Sequence, residues 1–159
     1  MLGSRRSAFG GSDPRRGTST NDDAVAGFVG EFVSAVLVSG SAISLTTATT
    51  AGITSISLTA GDWDVSAVVA FVTAATTSVT LQIGGISTTS ATLPTTVSYG
   101  GLTQLALEAE VPGAATAALP VPVTRISVAS TTTVYLVASA TFTVSTMTGY
   151  GGIMARRAR

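Results

Sequence analysis

The sequence predicts an all-β fold: an antiparallel β-sandwich of jelly-roll type, with about eight or nine strands and an extended N-terminal arm. Three observations carry that expectation. Segments rich in Val, Ile and Thr recur along the chain, with apolar and polar side chains alternating at a period of two. Turns rich in Gly, Pro and Thr separate them at short intervals. No segment shows the apolar spacing of an amphipathic helix. Periodicity alone does not separate a sandwich from a closed β-barrel, which stays open as the structural alternative.

The elements follow in order. Residues 1–28 read as the arm, and 29–159 as the β domain. The arm holds Gly3, Gly10, Gly11, Pro14 and Gly17, and no hydrophobic period. It is either an arm docked on a partner or a disordered terminus. Val29 to Val38 reads as the first strand, Ile43 and Leu45 as a short second one, and Ile53 to Leu58 as a third. Asp62 to Val72 is the best-defined strand, with Trp63, Val65, Ala67, Val69 and Phe71 on one face. Its other face begins polar at Asp62, Asp64 and Ser66 and turns apolar at Val68, Ala70 and Val72. In Ser78 to Ile83 the alternation puts Val79, Leu81 and Ile83 inward, and Gly84-Gly85 reads as a bulge or kink. Tyr99 to Val111 is a further strand. Pro112 to Pro122 reads as a loop, because four Gly and Pro residues punctuate it. Arg125 to Val128, Thr133 to Thr143 and Met147 to Met154 complete the set, ahead of a tail from Ala155 to Arg159. On Thr133 to Thr143 the apolar row is Val134, Leu136, Ala138, Ala140 and Phe142.

Composition narrows the function. Of 159 residues, 10% are charged, against about 25% in an average domain. The chain has no net charge, and its eight basic residues are all Arg, with no Lys, His or Cys. Disulfide scaffolds, thiol enzymes and Cys/His zinc sites are thereby excluded. Neutrality argues against a nucleic-acid partner. The apolar run around Ala67 to Phe71 falls far short of the ~18 residues of a membrane span, so no membrane insertion is expected. No signal-peptide pattern follows Arg5 and Arg6. The 27 Thr and 19 Ser suit half-exposed pleated surfaces and keep outward faces soluble without charge. Several strands nevertheless look apolar on both faces. A two-sheet sandwich buries one face per sheet, so a second apolar face implies a partner, most simply another copy. Scattered surface Val and Ala is the plainer alternative.

Catalytic chemistry is sparse. A Ser nucleophile would lack its activating His or Lys. Asp62 and Asp64 share one face of a strand, as do Glu108 and Glu110. Paired carboxylates serve glycoside hydrolysis or Ca²⁺ binding, and equally form the polar rim of a strand. Nothing else converges on them, so no catalytic, metal or cofactor site is expected. No phosphate-binding or zinc-protease motif occurs. Gly149-Tyr-Gly-Gly152 falls within a strand, where Gly permits close packing. Arg156, Arg157 and Arg159 are a weak nucleic-acid patch and fit an acidic protein partner at least as well.

Three stretches carry a family resemblance: Thr20 to Val33 (TNDDAVAGFVGEFV); Ser57 to Val65 (SLTAGDWDV), followed by Ile86 to Ala91; and the ending Arg125 to Val128, Thr133 to Val137 and Gly149 to Arg157. They resemble small jelly-roll virion proteins of tailed bacteriophages, the head decoration proteins and the trimeric knobs of fibres. LTAGDWDV is the most specific portion. The resemblance implies a homotrimer without catalytic residues or cofactor, located in the virion and assembled in the bacterial host cytoplasm. Only about 20 residues of arm precede the domain, which favours a compact module over a long fibre. The arm would anchor it to other virion proteins of the capsid, neck or tail, with Arg5, Arg6, Arg15 and Arg16 meeting partner carboxylates or carbonyls. The alternative is a fibre tip that binds host surface glycan through Asp62, Asp64, Tyr99 and Tyr150. A third class is a glycan depolymerase acting through Asp62 and Asp64.

Overall fold

The computed structural model describes residues 23–95, 101–111 and 113–159. The strands are β1 (Phe32–Leu37), β2 (Ile43–Ser44), β3 (Ala51–Leu58), β4 (Gly61–Thr73), β5 (Ser78–Ser87), β6 (Leu102–Glu110), β7 (Thr116–Val128), β8 (Thr132–Thr143) and β9 (Met147–Arg157). A single 3-10 turn, Ser39–Ser41, separates β1 from β2. They form two antiparallel sheets. Sheet 1 has the order β1-β9-β4-β7, with β2 also on β9; sheet 2 has the order β3-β8-β5-β6. The pairs are nested: β1 with β9, β3 with β8, β4 with β7 and β5 with β6. This nesting, divided between two sheets, meets the pairing requirement of the jelly roll expected from the sequence.

The core lies between the sheets, and period-two alternation fills it. Trp63, Val65, Ala67, Val69 and Phe71 of β4 are all buried, as expected. They face Val134, Leu136, Ala138, Ala140 and Phe142 of β8, which are buried too. Ile153 and Ala155 of β9, with Ile53, Ile56 and Leu58 of β3, complete the cluster.

Several readings of the sequence need correction. Leu81 and Ile83 do not point inward. The register shifts between Val79 and Leu81 on both sides of β5. Against β8 the shift inserts one residue at Thr80 and reverses the parity behind it, whereas against β6 residues 107–109 together stand opposite Thr80. The inward row is therefore Val79, Gln82, Gly84 and Ile86, opposite Phe142, Ala140, Ala138 and Leu136. Gly84-Gly85 is accordingly not the bulge, because its pairing is regular on both sides. Gly84 is instead a point of close approach between the sheets: a Cβ there would stand 2.6 Å from Cγ1 of Val69 and 3.1 Å from Cγ2 of Val121.

The third correction concerns the proline segment. Pro120 and Pro122 lie within β7, not in a loop. β7 is the edge of sheet 1 and pairs on one side only, so a missing N–H is tolerated there. Pro122 and Val123 together oppose Ser66 at a second bulge. The segment Arg125 to Val128 is the end of this same strand. At the other end of the chain, β9 runs on to Arg157, so the supposed tail is mostly strand. The first strand is shorter than expected, because residues 25–31 form successive turns closed by Phe28 N–H to Val25 O and Glu31 N–H to Phe28 O.

The close approach at Gly84 yields a prediction. Gly84→Ala should destabilise the fold by about 1–3 kcal/mol, the usual cost of overpacking. In the Val69→Ala background the same change should cost about 1 kcal/mol less, because the obstructing methyl is gone. Urea unfolding of the two single variants and the double variant measures this coupling.

Candidate functional site

Two arginine clusters stand at one end of sheet 1. In β9 the inward row Ile153, Ala155 continues to Arg157; in β1 the inward row Val33, Ala35 begins one step after Glu31. The two charged residues thus meet at the buried end of the β1–β9 ladder. Arg157 Nε donates to Glu31 Oε2 at 2.8 Å, with the two side chains only 5% and 12% exposed. Arg157 Nη1 donates to Ala60 O at 2.8 Å, and Nη2 to Thr59 Oγ1. The guanidinium carbon lies 4.3 Å from the centroid of the Trp63 ring, a cation–π contact. The indole Nε1–H is satisfied by Thr59 O at 2.9 Å. Main-chain bonds reinforce the cluster: Arg157 N–H to Glu31 O at 2.9 Å and Gly30 N–H to Arg157 O at 3.0 Å. Burial works against the Glu31 charge, but the Gly27 N–H and the Arg157 guanidinium outweigh it and hold the carboxyl below its ordinary value. Gly61, at φ +143°, leaves room for this guanidinium; a Cβ there would collide with Arg157 Nη1.

Asp62 anchors the second cluster. Its Oδ2 accepts from Arg125 Nη2 at 2.8 Å and from Arg159 Nε. Ala158 N–H also donates to Asp62 O at 2.9 Å. The Ser127 hydroxyl across the ladder, with Arg159 and Arg125, holds the carboxyl well below the usual aspartate range. A general acid needs a raised pKa, so this environment suits a structural anion rather than proton donation.

Beyond these clusters, the outer face of sheet 1 is apolar. One cross-strand row runs Val36, Gly152, Val68, Pro120; the next runs Ser34, Met154, Ser66 to the Pro122–Val123 bulge. Val36 is 70% exposed, Val123 58%, Met154 45% and Val68 43%. The row Phe32, Arg156, Asp64, Arg125 closes the face at the arginine end. A shallow depression of about 380 Å³ lies there, lined by Gly30, Phe32, Asp64, Ser66, Met154 and Arg156 among others. The outer face of sheet 2 differs. Ser55 and Ser57 are exposed on it, while Val137 is fully buried. A Cβ on Gly85 would touch Leu93, Pro94 and Val137, so the chain's own β5–β6 connection covers this part of the sheet.

The residues singled out from the sequence do not form one site. Asp62 and Asp64 are two apart on one face, as expected, but Asp62 is engaged by two arginines while Asp64 is exposed. Tyr150 shares that face, opposite Ala70, whereas Asp64 is opposite Arg156. Six register positions separate them, roughly 20 Å along the strands. Tyr99, Arg5, Arg6, Arg15 and Arg16 lie outside the described residues. Arg157 and Arg159 find their carboxylates within the chain, at Glu31 and Asp62. Among the described residues no group of three or more His, Cys, Asp or Glu is placed to hold a metal ion. No helix among them is long and apolar enough to cross a membrane. The Glu31–Arg157 pair escaped the sequence reading, although a charge at an inward position of each terminal strand was its signal.

No protein-family model matches the chain, and no curated protein matches it. A chain from a solved structure described as "Structure of infectious bursal disease virus Gx strain" aligns with 91% of this chain at 10% identity and a TM-score of 0.43. The present chain spans 38% of that chain's length.

Two predictions follow from the arginine clusters. Arg157→Met leaves Glu31 buried without its partner and should destabilise the fold by about 3 kcal/mol, whereas the exposed Arg156→Ala should cost about 0.5 kcal/mol or less. Adding Glu31→Gln to Arg157→Met should recover part of the loss in the same denaturant titration. For Asp62, the folded-state pKa lies below the unfolded value of about 4. Its contribution is therefore complete above that pH and is lost as pH falls below it. The stability gap between the native chain and Asp62→Asn should be constant from about pH 5 to 8 and shrink under more acid conditions, read as urea midpoints across pH.

Proposed function

We propose that this chain is a structural protein of a virus particle, of the tailed-bacteriophage kind its sequence resembles. It is a trimeric module on the particle surface, held to head, neck or tail by the arm of residues 1–28, and it catalyses no reaction. The observation that carries this reading is the outer face of sheet 1. Val36, Val68, Val123 and Met154 are exposed across four strands of a chain that is otherwise economical with exposed apolar surface on sheet 2. Contiguous apolar surface of this kind marks a contact with another protein. The chemistry agrees: the one carboxylate pair on this face is split between an arginine clamp and open solvent.

Purified particles of the virus that encodes the chain should contain it, measured by mass spectrometry and gel densitometry. Hundreds of copies per particle would assign it to the head, and a few dozen or fewer to the neck or tail. Absence from particles would overturn the proposal. A chain lacking residues 1–20 should keep its β circular dichroism and its oligomeric state, yet fail to join particles. Binding of the isolated protein to a glycan array, lost on Asp64→Asn, would instead favour the fibre-tip reading.

A further inference from the structure

The reading above leaves open what meets the apolar face of sheet 1. We propose that a second copy meets it with the same face, about a two-fold axis that runs parallel to the strands between β4 and β9. This rests on the reading of that face as a protein contact and goes beyond the trimer. A two-fold contact joins copies in pairs, so it links a copy of one trimer to a copy of another and leaves the three-fold contact to other surfaces.

The two middle strands of the face argue for this occupant. In four successive rows the cross-strand neighbours on β9 and β4 are unlike: Tyr150 stands beside Ala70, Gly152 beside Val68, Met154 beside Ser66 and Arg156 beside Asp64. A two-fold axis between these strands reverses every row on the facing copy. Tyr150 then meets Ala70, Val68 meets Gly152, Met154 meets Ser66 and Arg156 meets Asp64, each pair occurring twice. Longer side chains face shorter ones, and the one charged row faces its own opposite. Gly152 offers the notch for Val68, bounded by Val36, whose Cγ2 would lie 3.3 Å from a Cβ on that glycine. The outer strands follow the same reversal. Phe32, 45% exposed, meets Arg125 of the facing copy, a cation–π pair, and Val36 meets Pro120.

Charge does not oppose the pairing. Asp23 is exposed and precedes Ala24, which lies against Gly30 beside Arg156. With Asp62 and Asp64 it offsets Arg125, Arg156 and Arg159, so the charged border repels no copy of itself. Geometry agrees as well. Sheets stacked face to face keep their strands within about 30° of each other, the alignment that an axis parallel to the strands produces. Four strands over the span from Thr148 to Arg156 cover about 500 Å² in each copy, at about 4.8 Å between strands and about 3.3 Å per residue. Two copies then bury about 1,000 Å², the size at which an interface is specific.

The test uses the full chain, read by sedimentation equilibrium and native mass spectrometry. The native chain should form dimers or hexamers. Arg156→Asp and Asp64→Arg should each weaken the pairing by about tenfold or more, because the symmetry reverses two charge pairs at once. An equimolar mixture of the two variants should regain most of the native affinity as one-to-one pairs of unlike copies, in which both charge pairs are attractive again. Val68→Asp should stay folded by circular dichroism and no longer pair. A native chain that stops at the trimer overturns this inference while the trimeric reading stands; a dimer supports the inference and removes the trimer. If Val68→Asp abolishes the pairing but the mixed variants recover nothing, the face meets its partner in another arrangement and the inference falls, while its reading as a protein contact stands. A native chain that is monomeric at tens of micromolar overturns both.

Discussion

The fold depends on one buried cation. Arg157 is the last residue of the last strand, and its guanidinium lies inside the sandwich against Glu31, Ala60, Thr59 and Trp63. These partners come from the approach to β1, the β3–β4 turn and the start of β4. A single side chain therefore ties both ends of the described chain to its central strand. The ion pair closes a separation of 126 residues, a contact whose loop entropy other contacts must already have offset. Desolvating a guanidinium costs several kcal/mol, and the site repays this only because every direction is met by a carboxylate, a carbonyl, a hydroxyl or a ring face. Neighbouring choices follow from that geometry. Gly61 has no side chain because the guanidinium fills the space, and Glu31 is ionised because Arg157 and the Gly27 N–H favour its charge.

The remainder of the core is a matter of parity. β4 and β8 are uninterrupted on their inward rows, so simple alternation filled them correctly. β5 is not, because the bulge at Thr80 turns Gln82 and Gly84 inward in place of Leu81 and Ile83. The consequence is a polar amide and a bare backbone at the middle of sheet 2. Gly84 converts the loss of side-chain volume into closer contact, admitting Val69 and Val121 from sheet 1.

These particulars explain what the sequence could and could not disclose. Strand identity was legible wherever β-branched residues alternate, as from Trp63 to Phe71. The bulge at Thr80 was not, because one inserted residue leaves no compositional mark and merely inverts the pattern beyond it. The prolines of β7 misled for a related reason. Proline argues against a central strand, and nothing local marked this segment as an edge. The candidate site was less legible still. Period two places residues on a face but says nothing about what covers the face, so Val137 and Val68 looked alike. One is buried by Leu93 and Pro94 from the chain's own connection, and the other is open. Arg157 looked like a tail residue because arginine is seldom buried, and only its pairing with Glu31 across the first and last strands makes that position tenable.

The edges of the sandwich decide how such a chain can associate. An open strand edge offers N–H and C=O groups to any passing strand. At β7 that offer is withdrawn: Pro120 and Pro122 have no N–H, Pro120 O accepts from Thr103 Oγ1 at 2.6 Å, and Pro122 O accepts from Gly101 N–H at 3.2 Å. The same two bonds link sheet 1 to sheet 2, so the edge is closed by the fold itself. Sheet 1 cannot extend sideways through this stretch by adding a strand. Its outer face is left as the surface through which this sheet can meet a partner there, and contact through side chains is selective in a way that backbone pairing is not. Arg125, Arg156 and Arg159 gather with Asp62 and Asp64 at one border of that face, so its charged groups sit at one end while the apolar rows supply the area.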